Sequence, residues 1–270
     1  MGVDLTAKRK VLVVHGIQTG SSKGQNQHKE LEKLLKKTRP GLDGTYETDI
    51  FRYEDLNDND DGVRALQLLL QLFGHFLAAS KPLMKLAEGA IDLLGDVVIN
   101  LEDGATAKLI RRELKAKILK SYAAGEPLFL VGHSLGSVYS FDVINELMAE
   151  SDMFMRDNME TWPVQGFMSL GSPLGLSLFK RNRVQKMGPG GEFFPWRNIW
   201  DPTDPVVSGS FYGKSLQSYV IEGRFKSHDI PSGWDIEDFP VSTKQKWLLA
   251  HVAYWKHDRV GEELGNMLIA

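Results

Sequence analysis

Residues 127–140 read PLFLVGHSLGSVYS, and few folds accommodate such a stretch. A short apolar run from Leu128 to Val131 breaks at Gly132-His133-Ser134-Leu135-Gly136. Val138, Phe141, Ile144, Leu147 and Met148 then recur at spacings of three and four, the period of a helix. A Gly-x-Ser-x-Gly motif at a strand-to-helix turn carries meaning that the bare motif lacks. On so sharp a turn the serine backbone is strained, and only small residues two positions either side let the chains pass. Ser134 is then presented above the end of the strand. The amide of Leu135, at the helix start, faces any negative charge that develops there.

The rest of the chain alternates in the same way. Val11 to Val14 is a β-branched strand ending in His15-Gly16-Ile17, and Thr45 to Tyr53 predicts a second strand. Between them Leu31, Leu34 and Leu35 mark a helix that stops before Arg39-Pro40-Gly41. Ala105 to Ala124 is a charged helix with Ile110, Leu114 and Ile118 on one face. Further strands are predicted at Val164 to Leu170, at Arg197 to Trp200 and at Ser218 to Glu222. Lys244 to Ile269 reads as one final helix. This alternation predicts an α/β fold, a mostly parallel sheet with helices on both faces, in a single domain over 1–270. Ala65 to Ala79 and Leu83 to Val98 are largely apolar, and each is shorter than the roughly 20 residues of a membrane span. The segment 62–104 is therefore expected to be a helical insertion, a cap ahead of the elbow.

Composition removes several function classes. With no cysteine among 270 residues, disulfides, thiol catalysis and cysteine–zinc sites are excluded. A net charge of −3 gives no electrostatic basis for nucleic-acid binding. The strand–Gly-rich loop–helix layout at 11–38 lacks the Gly-Lys-Ser/Thr spacing of a phosphate loop. The acidic loop 55–62 lacks the EF-hand order. No cofactor and no metal are expected. The N-terminus, MGVDLTAKRK, has no apolar signal core, and a cytoplasmic location is expected.

A serine hydroxyl needs a base to take its proton, and the base needs a carboxylate to orient it. Asp201 and Asp204 both follow a predicted strand, and Asp201 could instead cap the turn. Asp229, Asp235 and Asp238 are expected in a separate polar loop. Of the seven histidines, His133 is too close to Ser134 to fold back, His15 sits in the turn after the first strand with a packing or hydrogen-bonding role expected, His28 and His75 precede the elbow, and His257 reads as exposed. His228 and His251 compete for the role of base.

Taken in order, His15-Gly16, Gly132-His133-Ser134-Leu135-Gly136, Asp204-Pro205-Val206 and His251 resemble the α/β-hydrolase superfamily, in its lipase and esterase branch. The resemblance runs from Val11 to about Trp255. It implies a Ser134–His251–Asp204 triad, with an oxyanion hole from the amides of Leu135 and Ile17, Gln18 being the alternate to Ile17. The turn is His-Gly-Ile-Gln, which departs from the family's HGGG type. The implied activity is hydrolysis of a small-molecule carboxylic ester with an apolar acyl group, through an acyl-enzyme. The same triad would serve a thioesterase, an amidase or a lactonase. A different class, a non-catalytic binding protein touching a lipid or membrane surface through 65–98, is the remaining alternative.

Overall fold

The computed structural model describes residues 2–15, 26–52, 105–150, 153–154, 158–175, 194–208, 234–245 and 248–270. Strands β1 (Arg9–Val14), β2 (Tyr46–Phe51), β3 (Leu128–His133), β4 (Gly166–Leu170), β5 (Phe194–Trp200) and β6 (Trp234–Pro240) pair in the order β2-β1-β3-β4-β5-β6. Every neighbouring pair is parallel. The strands therefore all end at one edge, and each connection must cross a face of the sheet.

Both faces are apolar, as continuous hydrophobic strands require. In β1, Leu12 and Val14 point to one face while Val11 and Val13 point to the other, and all four are buried. Helices α2 (Ala105–Ala123) and α3 (Leu135–Ala149) cover the first face with Ile110, Leu114, Ile118, Val138, Phe141 and Ile144. Helix α1 (Gln27–Thr38) covers the second with Leu31, Leu34 and Leu35. It packs there beside the C-terminal helix, and a short helix, α4 (Pro205–Ser208), follows β5. The basic residues of α2 are paired: Arg111, largely buried between the helices, meets Asp142 and Glu146 of α3, and Lys117 meets Asp49.

The chain leaves β1 toward β2 and leaves β3 in the opposite direction, toward β4. Sheets of this kind open a crevice at the carboxyl ends of the strands where the winding reverses. His15 and Ser134 follow β1 and β3 directly, so both lie at that crevice.

Three expectations are corrected. The predicted C-terminal helix is broken into α5 (Leu248–Val252), a 3-10 turn (Tyr254–Lys256) and α6 (Asp258–Ile269). His257 caps α6, its Nδ1 accepting from the Arg259 N–H, and is only half-exposed. The break lets a short helix carry His251 back over the sheet edge while α6 buries Val260, Leu264 and Leu268 against the second face. The polar stretch holding Asp235 and Asp238 is strand β6. Its acids hide the pattern, and Asp238 is drawn in by a buried relay on the first face. The Trp196 indole N–H donates to Ser169 Oγ at 2.8 Å, and Ser169 donates to Asn198 Oδ1 at 2.7 Å. Asn198 then donates to Asp238 Oδ1 at 2.6 Å. Each polar group is satisfied along the register Ser169–Asn198–Asp238, which is why it can be buried. The expected strand at 218–222 and the insertion at 62–104 lie outside the described residues. Among the described residues, no helix is long and apolar enough to cross a membrane.

Candidate active site

Ser134 stands between β3 and α3 with φ 54° and ψ −129°. Among the described residues, only Ser134 and Lys244 have positive φ without being glycine. A strained conformation of this kind costs about 1–3 kcal/mol and persists only where the surroundings enforce it. Here they do. A Cβ on Gly132 would lie 2.5 Å from Ser137 Cα, and one on Gly136 would lie 2.2 Å from the Val14 carbonyl oxygen. The two glycines allow the first turn of α3 to press against both β3 and β1. That contact also brings the end of β1 and the His15 carbonyl against the elbow.

The elbow is tied down on its far side. The Ser134 N–H donates to Leu170 O at 3.0 Å, extending the β3–β4 ladder past the last strand residue. A buried hydroxyl relay continues from there. The Leu174 N–H donates to Ser172 Oγ, Ser172 donates to Ser137 Oγ at 2.7 Å, and Ser137 donates to the Ser134 carbonyl. The sequence does not mark Ser137 and Ser172 as partners. Hydroxyls in Gly-Ser turns look alike until the turns are brought together.

Asp204 follows β5 and His251 lies in α5, beyond β6. His251 Nδ1 is 2.8 Å from Asp204 Oδ2, with the carboxylate fully buried and the imidazole nearly so. A carboxylate can only accept here, so Nδ1 carries a proton, and in the neutral ring Nε2 is the nitrogen left to act as acceptor. The other oxygen, Oδ1, accepts from the Val206 N–H at 2.9 Å. Asp201 is placed quite differently. Its carboxylate accepts from the amide and hydroxyl of Thr203 and from the amide and hydroxyl of Thr243, all within 2.6–2.8 Å. Burial pushes its pKa up, but those hydrogen bonds outweigh it and hold the group below the ordinary carboxylate range. Asp201 thus clasps two turns together and does not reach His251.

Gly171 joins the two halves of the site. It follows Leu170, whose carbonyl holds Ser134, and has φ +56°. A Cβ there would meet the Tyr254 ring at 2.7 Å, Asp204 Oδ2 at 3.0 Å and His251 Nδ1 at 3.1 Å. The β4 turn therefore lies directly between the elbow and the histidine–carboxylate pair, with room for nothing larger than a hydrogen.

His133 has a role that its closeness to Ser134 conceals. Its Nε2 is 2.8 Å from the His251 carbonyl oxygen, and the two rings lie tilted at 32° with centroids 4.7 Å apart. A five-residue helix leaves its final carbonyls without partners inside the helix, and His133 supplies one. A carbonyl accepts, so Nε2 of His133 carries the proton. Burial, reinforced by His251 and His15 nearby, pushes its pKa well below the ordinary histidine value despite that hydrogen bond. His133 is neutral, and fastens the helix bearing His251 to the elbow bearing Ser134. Trp255 packs edge-on against the same ring at 5.4 Å.

Leu135 is the first residue of α3, so its N–H has no acceptor within the helix and sits at the positive end of the helix dipole. Ile17 and Gln18 lie outside the described residues, as do His75 and His228. Among the described residues, no three His, Asp or Glu side chains group in a way that could hold a metal ion.

Parallel strands in this order, a strained serine on the turn leaving β3, an aspartate after β5 and a histidine after β6 together form the α/β-hydrolase fold. No family model and no curated protein matches the chain. Solved structures that it resembles include an alpha-beta serine hydrolase homologue from Coxiella burnetii, at 14% identity and TM-score 0.39, covering 99% of this chain and 86% of that one. A dienelactone hydrolase from Anabaena variabilis matches at 14% identity and TM-score 0.43, over 99% and 88% of the two chains. Est1E from Butyrivibrio proteoclasticus matches at 10% identity and TM-score 0.42, over 98% and 89%. At such identities and scores these are likenesses only, and the fold is assigned from the strand order and the elbow.

Proposed function

We propose that this chain is a serine hydrolase that cleaves carboxylic esters through an acyl-enzyme. Ser134 is the nucleophile, His251 the base and Asp204 the orienting acid. The observation that carries the proposal is the buried 2.8 Å contact between His251 Nδ1 and Asp204 Oδ2, fastened through His133 and Gly171 to a serine in elbow geometry. In this scheme Nε2 of His251 takes the Ser134 proton as Oγ attacks the ester carbonyl. The imidazolium is stabilised by Asp204, and the N–H of Leu135, with a second amide at Ile17, meets the tetrahedral oxyanion. The proton passes to the departing alcohol, and water then releases the acid by the reverse sequence. An apolar acyl group is the expected substrate feature, on the strength of the apolar residues of 65–98.

The test is labelling with a fluorophosphonate, followed by a panel of p-nitrophenyl esters of rising chain length run beside a thioester and an anilide. Ser134→Ala should abolish labelling and lower ester turnover by roughly 10⁴ or more. Asp204→Asn should lower turnover by about 10²–10⁴ with the fold intact, whereas Asp201→Asn should act on stability more than on rate. A folded Ser134→Ala protein that keeps most of its turnover overturns the assignment, and a preference for the thioester or anilide changes the leaving-group class.

A further inference from the structure

Tyr254 is a fully buried phenol that the triad as described does not use. It sits three residues beyond His251, just past the break that ends α5, and the 3-10 turn brings it back toward the same side. Its hydroxyl donates to Asp204 Oδ2 at 2.8 Å, the same oxygen that faces His251 Nδ1. The phenol oxygen in turn accepts from the Asp201 N–H at 2.9 Å. Its ring lies against Gly171, beside the imidazole. One carboxylate oxygen is therefore shared between two donors, the imidazole and the phenol.

We propose that Tyr254 is a positioning residue of the triad: by donating to the oxygen of Asp204 that holds His251, it fixes the carboxylate and tempers that oxygen's hold on the imidazole. The inference rests on the serine-hydrolase proposal. The chemistry follows from sharing. A carboxylate oxygen that already accepts a hydrogen bond has part of its charge compensated, so it binds an imidazolium less tightly than a bare oxygen would. The phenol itself stays protonated, because burial first and the charge of Asp204 second push its pKa well above the ordinary tyrosine value. It is thus a permanent donor across the working pH range. The Asp201 N–H on the other side of the hydroxyl orients that donor, since its lone pair is engaged and its proton can point only at Asp204. The charged and titratable groups that the described residues bring to this cluster are Asp201 and Asp204 from the turn after β5, His133 from β3 and His15 from the end of β1. His133 is neutral and the Asp201 carboxylate is turned to Thr203 and Thr243, so Asp204 is the charge that Tyr254 tempers.

The experiment reads the pH dependence of fluorophosphonate labelling, which needs the base but no knowledge of the natural substrate. Two variants are compared: Tyr254→Phe, which removes the donor, and replacement of Tyr254 by 3-fluorotyrosine, nearly isosteric and a stronger donor. Losing the donor leaves the Asp204 charge to hold the imidazolium more firmly. The acid limb of the profile should then rise by about half a pH unit or more, and the plateau rate should fall about tenfold. The fluorotyrosine protein should move the acid limb the other way. KM for a p-nitrophenyl ester should be unchanged in both, since the phenol is buried behind the carboxylate. The downfield imidazole N–H proton between His251 and Asp204 should shift in its NMR resonance, which a packing role alone would not produce. If Tyr254→Phe does not fold, the fluorotyrosine protein decides alone. An acid limb that stays at the wild-type position in a folded fluorotyrosine protein overturns the proposal while leaving the serine-hydrolase assignment intact. Undiminished labelling of Ser134→Ala overturns that assignment itself.

Discussion

The substitution Gly136→Ala tests the link between fold and site most directly. The added methyl would lie 2.2 Å from the Val14 carbonyl oxygen and 2.8 Å from that of His15. An ordinary carbon–oxygen contact is about 3.3 Å, so the first turn of α3 must retreat by about 1 Å. Both obstacles are backbone atoms at the end of a strand buried on both faces, and neither can rotate away. Inserting a methyl into a close-packed site costs about 1–3 kcal/mol, and the immobility of these partners argues for the upper end. Alanine recovers up to about 1 kcal/mol of helix propensity over glycine. The net loss is about 2 kcal/mol, or roughly 4–8 °C in Tm for a domain of this size. The retreat also draws the Leu135 amide away from the end of β1, and a misplacement of about 1 Å near the chemistry can lower a rate by about 10². Urea titration gives the stability and fluorophosphonate labelling gives the rate. The control is Gly41→Ala, where an added Cβ meets nothing within 4 Å and the glycine has no positive φ. That variant should be neutral, or more stable by up to about 1 kcal/mol. A Gly136→Ala protein as stable as wild type and labelled at an undiminished rate would refute the account of the elbow.

Ser134→Gly should abolish labelling yet leave the protein about 1 kcal/mol more stable than Ser134→Ala in urea titration, because glycine tolerates the positive φ that alanine cannot relieve; equal stabilities would show that the turn stores no strain. The buried, neutral His133 gives a pH dependence with a definite sign. Its folded pKa is depressed, so unfolding takes up a proton as pH falls through the unfolded value near 6.5, and the stability present above that value is lost below it. About 1 kcal/mol should disappear between pH 7.5 and 5.5, and His133→Gln should remove that part of the slope. Identical pH–stability curves for the two proteins would mean that His133 titrates alike in the folded and unfolded chain, which would overturn its neutral, buried state.

Much of this was legible in the sequence because it depends on residues close together in the chain. Alternation of β-branched runs with helical spacing marks a parallel sheet, since strands buried on both faces must be apolar throughout. Gly132 and Gly136 around Ser134 mark the elbow, since the steric demand there falls on neighbours two residues away. Contacts between distant segments left no such trace. Asp201 and Asp204 are equally good acids on a turn, and only packing turns one to Thr203 and Thr243 and the other to His251. His133 looked too near Ser134 to matter until α5 presented a carbonyl to its ring. Tyr254 and Trp255 read as part of a single helix with His251, although the chain breaks at Ala253 to bring the phenol under Asp204. Strand β6 was hidden because its acidic residues are poor strand formers, and the hydrogen bond that Asp238 accepts comes from Asn198 on the neighbouring strand. Local sterics and periodicity are written along the chain, whereas the partner of a buried polar group is chosen by whichever strand end or turn the fold brings within about 3 Å of it.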